Sequence, residues 1–259
     1  MQFLNSTACR ALPLVLGCLS MWCELQAQDN SPYSRYALGN LKSSESVVSR
    51  GMGGVCIADD NAYAANESNP ASYASLKLTS YQVGLEGSSV NLKNSSASNR
   101  TGGVTLSYVC LGFPINKHVG ISFGLIPVTR SKFEMEQSTT IPNISVVDYH
   151  YYGGGGTQKI YLGGAYKYKD YSIGFNTGYL FGNVVNSSDA EYPDSLKIIS
   201  SSITNRVVVT GLFFEAGAQM HKALNEKYHL HLGASYALGQ NAHAHTDTYW
   251  KSFRGIVSS

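Results

Sequence analysis

The sequence predicts an all-β chain folded as a transmembrane antiparallel β-barrel, and three observations predict it. The first is alternation. From Tyr171 to Gly182 the odd positions are aromatic, apolar or Thr, and the even positions are Gly, Ser, Asn and one Leu. Successive side chains of a strand point to opposite faces, so this segment has one greasy face and one small or polar face. The pattern recurs at Val119-Ile121-Phe123-Leu125, at Leu162-Gly164-Tyr166-Tyr168 and at Tyr228-Leu230-Leu232-Ala234-Tyr236-Leu238. The second observation is composition: 18 Tyr against 9 Phe and 2 Trp, with 26 Gly. Tyr suits a membrane–water boundary because its ring is apolar and its hydroxyl is wet. The third is strand length. The alternating segments run well past the roughly 5–6 residues of soluble strands and past the roughly 9–11 that cross a bilayer.

Two architectures can use such strands. A soluble sandwich turns the apolar face inward onto a second sheet. An outer-membrane barrel turns it outward to lipid and lines a wet lumen with the polar face. Strand length favours the barrel. The bulk numbers agree: 14% charged residues, a formal net charge of +2 and a mean hydropathy of −0.12. These suit a chain whose apolar residues are diluted one-for-one by lumen residues. Beyond the N-terminus no stretch approaches the ~20 apolar residues of a spanning helix. Near-neutral charge leaves no basic stripe for nucleic acid.

Taken in order, residues 1–28 read as a signal peptide. Arg10 supplies a positive charge, Ala11 to Trp22 is an apolar core broken by Pro13, Gly17 and Ser20, and Ala27 supplies a small residue near the cut. That core is too short to span a bilayer. Lipoprotein processing at Cys18 is the rival reading. Three of the five Cys fall in this segment; the other two, Cys56 and Cys110, read as small buried or lipid-facing residues rather than a disulfide framework. Residues 29–76 lack a period of 2 and are rich in Ser, Asn, Ala and Gly. From 77 to 259 the chain reads as barrel strands, near 77–92, 102–114, 117–136, 148–168, 170–187, 203–222 and 226–247. An eighth strand starting at Thr246–Val257 is left open. Tight turns are expected at Pro114-Ile115-Asn116-Lys117 and at Lys169-Asp170, alternating with longer polar connections.

Arg50-Gly51-Met52-Gly53-Gly54, then Ala58-Asp59-Asp60, then Asn69-Pro70-Ala71 stand in that order directly before the first strand. In this the chain resembles the FadL-type outer-membrane transporters, which carry long-chain fatty acids and aromatic hydrocarbons. The resemblance is clearest over 32–76. It implies a barrel of about 14 strands plugged by an N-terminal hatch at 29–76. Gly51, Gly53, Gly54, Asn69, Pro70 and Ala71 become ligand-gating hatch residues. It also implies a lateral wall opening at a kink in the third strand, where Pro127 stands; the bland reading of Pro127 is a strand terminus at the rim. Seven or eight strands are half of what the resemblance requires. A barrel of eight is filled by its own side chains and has no room for a hatch, so the sequence reads as C-terminally truncated.

The histidines are weighed as ligands. His229 and His231 oppose Leu230 and Leu232, and His243, His245 and Asp247 follow at the same spacing. Imidazole and carboxylate at i, i+2 and i+4 share a strand face and suit Zn or Cu. Without a converging third element they read as lumen or loop residues, so His243, His245 and Asp247 stay weak metal candidates and no cofactor is expected. Gly153-Gly154-Gly155-Gly156 lacks the Lys-Ser/Thr and helix of a phosphate loop; it permits a bend or a close approach of the hatch to the wall. Glu86 and Glu215 fall on inward faces, either solvated or paired with a hatch residue such as Arg50 or Arg35. No catalytic set emerges, and the chain reads as no enzyme.

The expected protein is therefore an exported component of a Gram-negative-type outer membrane, in contact with the lipid bilayer and moving a hydrophobic small molecule. Two alternatives stand beside it: a secretion-associated or structural barrel docking protein partners, and a small complete eight-stranded barrel.

Overall fold

A computed structural model describes residues 31–43, 45–93, 98–142, 145–192, 199–239 and 241–253. The expected signal peptide at 1–28, with Cys9, Cys18 and Cys23, and the last residues of the eighth strand left open lie outside the described residues. One antiparallel sheet, curled into a half-barrel, makes up most of the molecule. After a two-residue strand β1 (Asn40–Leu41), it comprises β2 (Ser80–Lys93), β3 (Ser98–Pro114), β4 (Val119–Pro127), β5 (Thr129–Ile141), β6 (Ser145–Tyr168), β7 (Tyr171–Glu191), β8 (Ser200–Ala223), β9 (His229–Ala237) and β10 (His243–Phe253). β4 and β5 both run along β6, and β9 and β10 both run along β8. These are the seven expected strands, two of them broken in the middle. Thr246–Phe253 is thus the upper part of the seventh strand, not an eighth. No helix among the described residues is long and apolar enough to cross a membrane.

Tight turns set the register. At Lys169-Asp170 the chain reverses in two residues, with Lys169 at φ 53°, and pairs Tyr168 with Tyr171 onward to Asp148 with Glu191. Hairpins of this kind need the left-handed region. At the β3–β4 turn, Asn116 Oδ1 accepts from the backbone N–H of His118 and Val119, each at 2.8 Å. Strands extend further than alternation suggests: β5 reaches Ile141 and β7 reaches Glu191. Ladder hydrogen bonds satisfy the backbone whatever the side chain, so Ser138-Thr139-Thr140 and Ser187-Ser188 continue the sheet.

Both breaks are one-residue offsets. Pro127 pairs with Gln158, but Ser131 pairs with Gly155, so the β4–β5 side carries one extra residue. Opposite it, Gly155 and Gly156 take φ 120° and 154°. The glycine run therefore serves the bend rather than a close approach of the N-terminal segment. On the far side, Glu215 pairs with Ala237 and Thr210 with His243. That offset puts His243, His245 and Asp247 on the face opposite to His229 and His231, because cross-strand partners share a face.

The convex face carries the apolar stripe, and it is uncovered: Ile173, Leu212 and Tyr166 are 64%, 59% and 50% exposed. Phe175 and Phe214 stack across β7 and β8 at 5.9 Å. The concave face carries the small and polar positions, and residues 56–76 lie on it. The core is their meeting: Ala65, Tyr73, Ala74 and Leu76 pack with Tyr108, Cys110, Ile126, Tyr161 and Ala165. Cys56 and Cys110 are free and buried, and Cys110 Sγ lies 3.0 Å from Tyr161 Oη and 3.3 Å from Ser122 Oγ. Among the described residues the sheet is open: β2 at one end and β9–β10 at the other each have a strand partner on one side only.

A Cβ at Gly174 would strike the Pro70 carbonyl, whereas one at Gly164, on the convex face of β6, meets nothing closer than 4.0 Å. Urea unfolding of the refolded protein checks the consequence. Gly174→Val loses about 1–3 kcal/mol, the usual cost of overpacking, and Gly164→Ala changes stability by less than about 0.5 kcal/mol.

Candidate functional site

What the sheet holds is its own N-terminal segment. Pro32–Arg35 forms a 3-10 turn against β5, where Ser34 Oγ donates to Lys132 O at 3.0 Å and Ser131 Oγ donates to Ser34 O at 2.7 Å. β1 then pairs with Thr129 and Arg130 of β5. A short helix, α1 (Val47–Gly51), follows, capped by Ser46 Oγ accepting from Ser49 N at 3.1 Å.

A second 3-10 turn, Pro70–Ser75, sits deepest. Asn69 caps it: Oδ1 accepts from Ala71 N at 3.1 Å, and Pro70 occupies the first position, where no N–H is needed. Its Nδ2 faces carbonyls of three segments, Ile57 at 2.7 Å, Ala218 of β8 at 3.2 Å and Ala234 of β9 at 3.3 Å. Asn69 is fully buried, so these bonds offset the desolvation of its amide. The wall makes room with small residues. Gly120, Ala165, Gly174, Gly217 and Ser235 are successive cross-strand partners on β4, β6, β7, β8 and β9. A side chain at Gly120 would strike the Tyr73 carbonyl, and one at Gly217 would strike Asn69 and Pro70.

Charges pair at the margin of this contact. Arg50 Nη1 lies 3.1 Å from Glu86 Oε2 and Lys42 Nζ 3.5 Å from Glu86 Oε1. Glu215 pairs instead with Lys159 of β6 at 2.8 Å. Arg35 stacks its guanidinium over Tyr151 at 4.3 Å. Glu67 is different. It is 3% exposed, and no other side chain donates a hydrogen bond to either carboxylate oxygen. Burial pushes its carboxyl up to about 7, against the opposing pull of its own backbone N–H, Lys159 and Arg50. It borders a cleft of about 260 Å³ with Glu45, Lys159, Glu215 and Tyr236.

The residues singled out from the sequence fall in different places. Asn69, Pro70 and Ala71 are buried in the contact. Gly53 and Gly54, at φ 74° and 84°, turn the chain after α1, and a Cβ at Gly51 would meet open space. Pro127 stands where the sheet divides: β3 pairs with β4 only from Val109 to Pro114, and beyond Pro127 β5 takes β1 as its neighbour. His245 Nε2 lies 3.0 Å from Asp247 Oδ1 on the outer strand, with His245 79% exposed. The cluster of three potential metal ligands among the described residues is a different one, Asp60 with His221 and His231. Sequence reasoning found His231 but neither Asp60 nor His221, because their convergence depends on where residues 56–60 lie on the sheet. Glu67 was missed as well; its signal, an acid amid small residues before Asn69-Pro70, is readable only once the segment is known to be buried.

An open antiparallel half-barrel, apolar on its convex side and with residues 56–76 laid on its concave side, fits one class: an outer-membrane-associated β protein. The family is specific. The family model described as BamG matches residues 10–255, and the chain belongs to that family, an outer-membrane-associated protein of Gram-negative bacteria. No curated protein and no solved structure matches the chain. This membership corrects the FadL-type resemblance and, with it, the transport of fatty acids or aromatic hydrocarbons. The physical reason for the false likeness lies in the motifs. Asn69-Pro70-Ala71 caps a 3-10 turn and Gly53-Gly54 reverses the chain. Any segment laid closely into a curled sheet has both needs, whatever the protein does.

Glu67 binds its proton more tightly in the folded state, so between about pH 4.5 and 7 the folded chain holds more protons than the unfolded one. Stability therefore falls as pH rises through that window, by about 3 kcal/mol once pH exceeds 7. Urea-unfolding free energies between pH 4.5 and 8 show this decline in the wild type, and Glu67→Gln removes that component of the slope.

Proposed function

We propose that this protein is a non-enzymatic β-barrel-type component of the outer membrane that docks protein partners, in association with the BAM complex. Membership of the BamG family over residues 10–255 carries this reading. The geometry supports it in two ways. The concave surface, where a small-molecule carrier keeps its passage, is occupied by residues 56–76, fixed through Asn69 to β8 and β9. Among the described residues no strand pairs with the outer edges of β2 and β9–β10, and an exposed sheet edge is a template for strand addition by a partner. In the same reading the convex stripe faces acyl chains, and the segment on the concave face acts as a plug.

Two measurements test it. Affinity-tagged protein solubilised from outer membranes in mild detergent co-elutes with BAM subunits; elution alone, while those subunits stay together, rejects the association. For the lipid contact, Phe175→Arg on the convex face lowers unfolding free energy in phospholipid vesicles by about 2–4 kcal/mol. A face turned to water gives a change under about 0.5 kcal/mol.

A further inference from the structure

Close to the β8–β9 turn, the concave face presents a constellation unused by the docking argument. His221 of β8 and His231 of β9 are direct cross-strand partners, and their rings lie 3.8 Å apart, centroid to centroid. From the N-terminal segment, Asp60 reaches both: Oδ2 is 2.9 Å from His221 Nδ1, and Oδ1 is 3.3 Å from His231 Nδ1. Asp60 is held there by its neighbours. Gln219 Nε2 donates to Ile57 O at 3.0 Å and to Asp59 O at 3.1 Å, and Gly233 lets the Ile57 carbonyl lie against β9.

We propose that Asp60, His221 and His231 form a metal site for a borderline divalent ion of the Zn(II) type, clamping the N-terminal segment to the β8–β9 hairpin. All three ligand atoms lie within 4.8 Å of one another. Ligands about 2.0–2.1 Å from a tetrahedral zinc sit about 3.3–3.4 Å from each other; the two Asp–His separations, made through different carboxylate oxygens, lie within a few tenths of an ångström of that, and the three ligand atoms, spread over no more than 4.8 Å, close on an ion by side-chain rotation. Two imidazoles and one carboxylate match Zn, Ni or Cu(II) and disfavour Mg and Ca, which take oxygen ligands. The side chains are 23–39% exposed, leaving an entry path and a fourth position for water. His229 stands edge-on to His221 at 5.9 Å. Lys167 and Asp170 line the same cleft, and their opposite charges offset each other near the ion.

Metal-stripped full-length protein in detergent, titrated with Zn(II) against a chromophoric chelator, binds one ion per chain. Asp60→Asn and His221→Ala each weaken binding at least about tenfold, while the double variant His243→Ala, His245→Ala binds as the wild type does. Where His221→Ala fails to fold, the wild type still answers: Zn(II) shields His221 and His231, but not His243, from diethylpyrocarbonate. Absence of one-to-one binding, binding that is lost with His243 and His245, or equal labelling with and without Zn(II) overturns the proposal.

Discussion

Everything else in this structure depends on how closely the backbone of residues 56–76 approaches the backbone of the sheet. Beside the packed side chains of the core, the main chain itself comes into contact there. A main-chain turn lies on a floor of glycines, and Asn69 supplies the hydrogen bonds that the burial of polar atoms demands. Gly120, Gly174 and Gly217 each admit a carbonyl or a proline ring where any Cβ would collide. Glycine inside a strand is normally a weakness. Here it sets the depth of the contact, and that depth brings Tyr73 into the core with Tyr108 and Tyr161.

The two faces of the sheet therefore answer different demands. On the convex side large apolar residues stand exposed, with no second layer over them among the described residues, and the concave side combines small and polar groups with the buried rings and aliphatic side chains of the core. A water-soluble sandwich would have covered the apolar side with a second layer. Instead the covered side is the polar one, and the ion pairs Arg50–Glu86 and Lys42–Glu86 sit at its margin. Glu67 is the exception within that arrangement, a carboxyl with cations nearby and none in contact.

Much of the sheet was legible in the residues. Alternation located all seven strands, and the two-residue turn at Lys169-Asp170 determines that Ala165 faces Gly174. The pairing of Glu86 with Arg50 was among the open readings, and the structure selects it. What could not be read has a physical cause. A one-residue offset between Ala237 and His243 reverses the facing of β10, so His243 and His245 lost their kinship with His229 and His231. Contacts of the leading segment, such as Asp60 with His221, join residues 161 positions apart, and no local period encodes them. The motifs near Asn69-Pro70-Ala71 reported a backbone requirement, which unrelated proteins share, and so pointed to the wrong family.

The reach of Asn69 also bears on the order in which the molecule assembles. Its amide meets the carbonyl of Ala234, 165 residues later, whereas every hairpin of the sheet joins neighbours in the chain. Local pairings close quickly and distant ones wait for their loop entropy to be offset. The contacts of Asn69 with Ala218 and Ala234 therefore carry a larger loop-closure cost than any hairpin of the sheet, and the glycine floor is covered only where that cost has been met.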